Sequence, residues 1–128
     1  MTYYFAKTLK APFDEAVART RAALQAQGFG VITEIDVTAT LKAKINVDFR
    51  PYLILGACNP ALAHQALELE DKIGTMLPCN VVVQQTAPGE SEVAAIDPLA
   101  SMRAVENPEL LEKARMVGEK LQAVVAAI

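Results

Sequence analysis

A chain of 128 residues, 52% of them hydrophobic, is long enough for one compact core and too short for two ordinary domains, so residues 1–128 are expected to form a single domain. Twelve Lys and Arg against fifteen Asp and Glu leave a net charge of −3, which argues against the basic footprint of a nucleic-acid or anionic-lipid binder. Mean hydropathy is positive at +0.23, yet the apolar residues fall in short runs, and no run of about 18 uncharged apolar residues exists to span a bilayer. Residues Met1 to Lys7 have no basic stretch followed by a long apolar one, so a secretory leader is not expected and the cytoplasm is the expected compartment. Two cysteines without a CxxC spacing make neither a disulfide framework nor a zinc site, and both thiols are expected to be reduced.

Tyr3 to Leu9 reads as a first strand, closed by Ala11-Pro12. Phe13, Ala16, Val17, Thr20, Ala23, Leu24 and Gln27 then recur at helical spacing, with Asp14 and Glu15 at the favourable end of the dipole and Gly28 as the stop. From Phe29 the period changes to two: Phe29, Val31, Thr33, Ile35 and Val37 alternate with Gly30, Ile32, Glu34 and Asp36, predicting a strand with one buried face. Asp36 or Thr38 suits the cap of a short helix carrying Val37, Leu41 and Ile45, closed by Asn46.

Tyr52 to Cys58 is apolar at both parities, which predicts a strand in the middle of the sheet, covered on both faces. A helix from Pro60 to about Ile73 follows. A strand from Cys79 to Thr86 and another from Glu92 to Ile96 make a hairpin around Ala87-Pro88-Gly89-Glu90. After Asp97-Pro98 comes a small helix, and from Pro108 a long one presents Leu111, Ala114, Val117, Gly118, Leu121, Val124, Val125 and Ile128 on one face, its other face charged. Asn59-Pro60, Asp97-Pro98 and Asn107-Pro108 each pair a capping side chain with a proline whose missing N–H costs nothing in a first helical turn. The expected fold class is α+β: a strand and a helix, then an antiparallel four-strand sheet with short helices inserted, and a long C-terminal helix packed on the sheet.

Four stretches of this chain resemble a known family: Gly28 to Val37, Ile54 to Pro60, Leu77 to Val83, and Ala95-Ile96-Asp97-Pro98. Together they resemble the domain of unknown function family 302, with a likeness over nearly the whole chain. The resemblance implies an α+β domain with a curved antiparallel sheet and a long closing helix that pairs as a homodimer. It implies no established activity and transfers no catalytic residue.

Cys58 ends an apolar strand one residue before the cap of the next helix, where free backbone N–H groups and the positive end of the helix dipole favour a thiolate. Gly56, Asn59 and the paired Cys79-Asn80 complete the candidate binding corner. The ordinary alternative is that both cysteines fill space in the core. Their separation depends on how the intervening helix runs, and a disulfide requires Cα atoms within about 7 Å. Lys42, Lys44 and Arg50 form the one basic stretch, a candidate anion contact with a solvated surface as its alternative. His64, with Glu68 and Asp71 on the same helical face, is half a metal site that a dimer would double, and otherwise a solvated His–Glu pair. No Ser-His-Asp order, Walker loop or Rossmann glycine pattern appears, so catalysis is not indicated and no cofactor is named. The leading expectation is a homodimer that binds a small molecule in an apolar cleft near Cys58. A thiol redox or sulfur-transfer protein using Cys58 and Cys79 comes second, and metal or haem held across a dimer third.

Overall fold

The computed structural model describes residues 2–128. In chain order the elements are β1 (Tyr4–Leu9), α1 (Phe13–Ala26), β2 (Gly30–Asp36), α2 (Val37–Ile45), β3 (Tyr52–Cys58), α3 (Pro60–Leu69), a 3-10 helix (Asp71–Met76), β4 (Cys79–Ala87), β5 (Glu90–Ile96), α4 (Pro98–Ser101) and α5 (Pro108–Ala127). All neighbouring strands are antiparallel, in the order β1-β5-β4-β3-β2. The sheet therefore has five strands rather than the expected four. β1, expected to stand before the sheet, pairs along its length with the last strand, from Tyr4 opposite Ile96 to Leu9 opposite Ser91. A partner so far along the chain leaves no local pattern to read.

Register makes the sheet two-faced, because residues opposite one another in an antiparallel pair point the same way. Leu55, Val81 and Ala95 share the face on which α1 and α5 pack, and they are fully buried there with Val83, Val93, Leu24, Leu121 and Val124. Burying a side chain of this kind stabilises by about 1.5–3 kcal/mol. The other face carries a row that crosses all five strands, Ala6-Ala94-Val82-Ile54-Ile35, which is half-buried at its centre and exposed at both ends. Two expectations for β3 are corrected here. β4 is the middle strand, and the second face of β3 is covered only in part, since Tyr52 and Ile54 are half-buried there and Gly56 alone is buried, beneath Thr33 and Pro78. Continuous apolar sequence does not distinguish a covered face from one left free.

The predicted alternation of β2 breaks at a bulge between Val31 and Thr33. An extra residue shifts the parity of everything after it. Ile35 consequently lies on the open face, 49% exposed, and Ile32 is 61% exposed. α3 stops at Leu69 rather than near Ile73, because Glu70 turns extended and its side chain caps a separate 3-10 helix by accepting from Lys72 N. On α5 the buried stripe starts at Leu110, not Leu111, one helical turn before Ala114. Gly118 lies against Asp97 and Pro98 at the start of α4, not against the sheet.

The predicted helix boundaries otherwise hold. Asn59, Asp97 and Asn107 each accept a hydrogen bond from the first turn of their own helix, Asp36 does so for α2, and Asn46 closes α2 at φ 53°. Gly28, at φ 83°, ends α1 in a conformation that side chains resist. Lys7 on β1 donates to the Ala126 and Ile128 carbonyls and holds down the far end of α5.

Candidate functional site

Residues outside the main core make a second, smaller one: Ala66 of α3, Ile73 of the 3-10 helix, Met102, and Leu110 and Ala114 of α5. Short elements and alanines fill space poorly, and between the two cores lies a cavity of about 290 Å³. The ends of β3 and β4 form its floor, with Ala57, Cys58 and Cys79. Leu62, Ala63 and Ala66 of α3 form one wall, and Ala114 and Val117 of α5 the other. At the mouth stand two exposed apolar side chains, Ile32, which the bulge turns outward, and Leu67, 42% exposed.

Cys79 stands opposite Ala57 in the β3–β4 register, so Cys58 is one residue along the neighbouring strand. The chain between them returns to the end of the sheet from which it left, and both thiols, each free, line the cavity. Cys79 is 8% exposed, and burial pushes its pKa up to about 11, with the nearby Cys58 charge adding to the rise. Cys58 is half-exposed.

The start of α3 offers Cys58 fewer free amides than the sequence pattern implies. Of the amides expected to face a Cys58 thiolate, two are taken by Asn59: Leu62 N donates to Asn59 Oδ1 at 3.2 Å and Ala63 N to Asn59 O at 2.9 Å; Pro60 has none to offer, and Ala61 N is the first-turn amide that Asn59 does not engage. Asn59 lines the cavity, and its carbonyl of the side chain is spent on the cap. Gly56 is not on the cavity wall; a Cβ there would come within 2.0 Å of Thr33 Oγ1 and 2.7 Å of the Pro78 ring, so its bareness lets those two groups cross β3. Asn80 is exposed opposite Gly56 and borders a neighbouring depression beyond Leu77-Pro78-Cys79.

The remaining candidates lie elsewhere. Lys42 is paired with Asp48 at 3.0 Å, Arg50 stacks on Phe49 with 4.4 Å from its guanidinium carbon to the ring centre, and Lys44 is exposed on α2. His64 Nε2 meets Glu68 Oε1 at 3.2 Å on the exposed face of α3. Among the described residues, no three His, Cys, Asp or Glu side chains gather as a metal site, and no helix is long and apolar enough to cross a membrane.

Ile32, Met102 and Lys113 line the cavity without a local sequence signal that would place them there. Alternation along β2 sets the side expected for Ile32, and the bulge overrides it. Met102 lies in a segment without periodic signal. Lys113 was counted with the charged outer face of α5, yet it is the one charged residue among those lining the cavity. No carboxylate of the described residues forms an ion pair with it. Its neighbour Glu112 is taken by Arg115, whose hydrogen bond is the main reason that the Glu112 carboxyl is held below its usual range, and Arg115 also reaches Glu119.

The family model described as "Domain of unknown function DUF302" matches residues 5–128. A solved structure, described as the uncharacterized conserved protein DUF302 from Bacillus stearothermophilus, superposes with a TM-score of 0.91 at 28% sequence identity, covering 99% of this chain and 98% of that one. No curated protein matches.

Proposed function

The chain belongs to the DUF302 family, and on that premise we propose that it binds a small, predominantly apolar molecule in the cavity beside Cys58, working as a homodimer. The observation that carries this reading is the cavity itself: about 290 Å³, walled by aliphatic side chains, and open to solvent past exposed Ile32 and Leu67. Ligand pockets are typically concave and largely apolar, and this one matches the small end of their size range, about 300 Å³. Titration with N-phenyl-1-naphthylamine, an uncharged fluorophore, tests it. A saturable rise in emission is expected, with loss of the rise in Ala63→Phe and in Ala66→Leu. No saturable rise, or equal binding by variants that keep the native circular dichroism, overturns the reading.

The homodimer is supported by the open sheet face. Its centre, Ala94-Val82-Ile54, is apolar, and its Glu92 carboxylate is already engaged by Gln84, so a second copy meets few unsatisfied polar groups there. Sedimentation of Val82→Lys decides it: a monomer is expected, and an unchanged dimer, or a monomeric parent protein, refutes it.

A second reading, thiol exchange, draws on the adjacency of the two cysteines. Cys58 as thiolate attacks a substrate disulfide and releases one thiolate; Cys79, losing its proton, then displaces the second, which leaves a Cys58–Cys79 disulfide and a reduced substrate. It ranks second because a thiol whose pKa is about 11 is almost wholly protonated near neutral pH. Mass analysis after treatment with oxidised glutathione tests it: an internal disulfide is expected on this reading, and a stable mixed disulfide or no reaction ends it.

A further inference from the structure

Within the reading that the cavity takes an apolar molecule, we infer that the occupant is an amphiphilic monoanion, with its tail among the aliphatic walls and its acidic head at Lys113. Three features of the site bear on the class of ligand. The interior offers an uncharged wall and two thiols, one of them deeply buried, so no charged group of a ligand finds compensation there. The mouth, by contrast, carries exposed Ile32 and Leu67, which extend apolar contact to the surface for a molecule longer than the cavity is deep. Between interior and solvent stands Lys113, the cavity's only charged lining residue, half-buried and without an ion pair.

The acidic side chain beside it, Glu112, is hydrogen-bonded to Arg115 and not to Lys113, although the Lys113 charge also helps to hold its carboxyl low. Lys113 thus has no competing carboxylate in ion-pair contact on α5. A lysine in this position lays its aliphatic stem along an apolar wall and carries its ammonium toward water. An ammonium at an apolar mouth, with no internal counter-charge, selects a single negative head and repels a positive one. A second anionic head has no second cation among the lining residues to meet it.

The test displaces N-phenyl-1-naphthylamine from the parent protein with decanoate, decanol and decylammonium, which share a tail and differ in head charge. Decanoate is expected to compete about fivefold more strongly than decanol, the scale of a partly screened ion pair. Decylammonium is expected to be the weakest. Raising the salt concentration should narrow the gap between decanoate and decanol. Lys113→Met keeps an apolar stem of similar reach, and within this variant decanoate and decanol are expected to displace the fluorophore equally well. Lys113→Arg should retain the preference for decanoate. Equal competition by decanoate and decanol in the parent, or a preference that persists in Lys113→Met, overturns the assignment of the head while leaving the apolar cavity standing. Failure of the fluorophore to bind removes the cavity reading itself, so the two failures are distinct.

Discussion

The two apolar clusters of this molecule are built on different terms. The larger is made from long, periodic elements, with two strands and two long helices contributing Leu24, Leu55, Val81, Val83, Leu121 and Val124, all fully buried. The smaller depends on short elements and small side chains, Ala66 and Ala114 among them, and it borders a cavity of about 290 Å³. Close packing is the normal condition of a protein interior, so an unfilled apolar space between cores marks where stability was not maximised. That is where the molecule has room for a ligand.

Truncation gives the sharpest contrast between the two. Leu121→Ala should cost about 4 kcal/mol, and Leu110→Ala, whose neighbours already lack partner atoms on the cavity side, about 2 to 3 kcal/mol. Urea denaturation measures both; equal losses would erase the distinction between sealed and open packing. Alkaline pH supplies the next test. Burial holds the folded-state pKa of Cys79 at about 11, above the 9.0 of an ordinary thiol. Its protonated, buried form therefore contributes stability that is complete below about pH 9 and lost as pH rises toward 11, on the order of 2 to 3 kcal/mol. Denaturation at pH 8 and pH 11 should show a smaller alkaline loss in Cys79→Val than in the parent protein. Gly56→Ala follows at about 2 kcal/mol, because Thr33 and the Pro78 ring must both move, and a wild-type melting temperature would contradict that crossing.

Two helix substitutions complete the series. Asn107→Ala should cost about 1 kcal/mol, through loss of the cap on α5 and of its bond to the Leu69 carbonyl that ties α3 to α5. Gly118→Ala should stabilise by up to about 1 kcal/mol, since a methyl group there meets Asp97 and Pro98 at ordinary contact distances of 3.5 and 3.6 Å and removes a glycine from the middle of a helix. A destabilised Gly118→Ala would mean that α4 and α5 are packed more tightly than these distances allow. All these changes can be read by thermal or urea unfolding.

Local signals carried most of the architecture. Proline with a capping side chain marked the starts of α3, α4 and α5, and the structure gives each of those side chains the expected amide partner. Non-local facts were out of reach: β1 closing on β5, the open face beside Ile54, and the register that sets Cys79 next to Cys58. The cavity was legible only at one corner. Cys58 and Asn59 mark a strand end and a helix start, which any reader of the pattern finds, whereas Ile32, Met102 and Lys113 arrive from a bulge, an aperiodic segment and a helix face that looked solvated. At α3 the capping residue works the other way, since Asn59 takes Leu62 N and Ala63 N for itself and leaves fewer amides for a ligand.

α5 runs through both clusters, with Leu110 and Ala114 in the smaller and Leu121, Val124 and Val125 in the larger. A single rod set in two materials should exchange its amide hydrogens unevenly, quickly along residues 110–116 and slowly along 120–126. A molecule seated against Ala114 and Val117 would slow the first half until it resembled the second. The helix thus reports occupancy along its own length, without any label on the ligand.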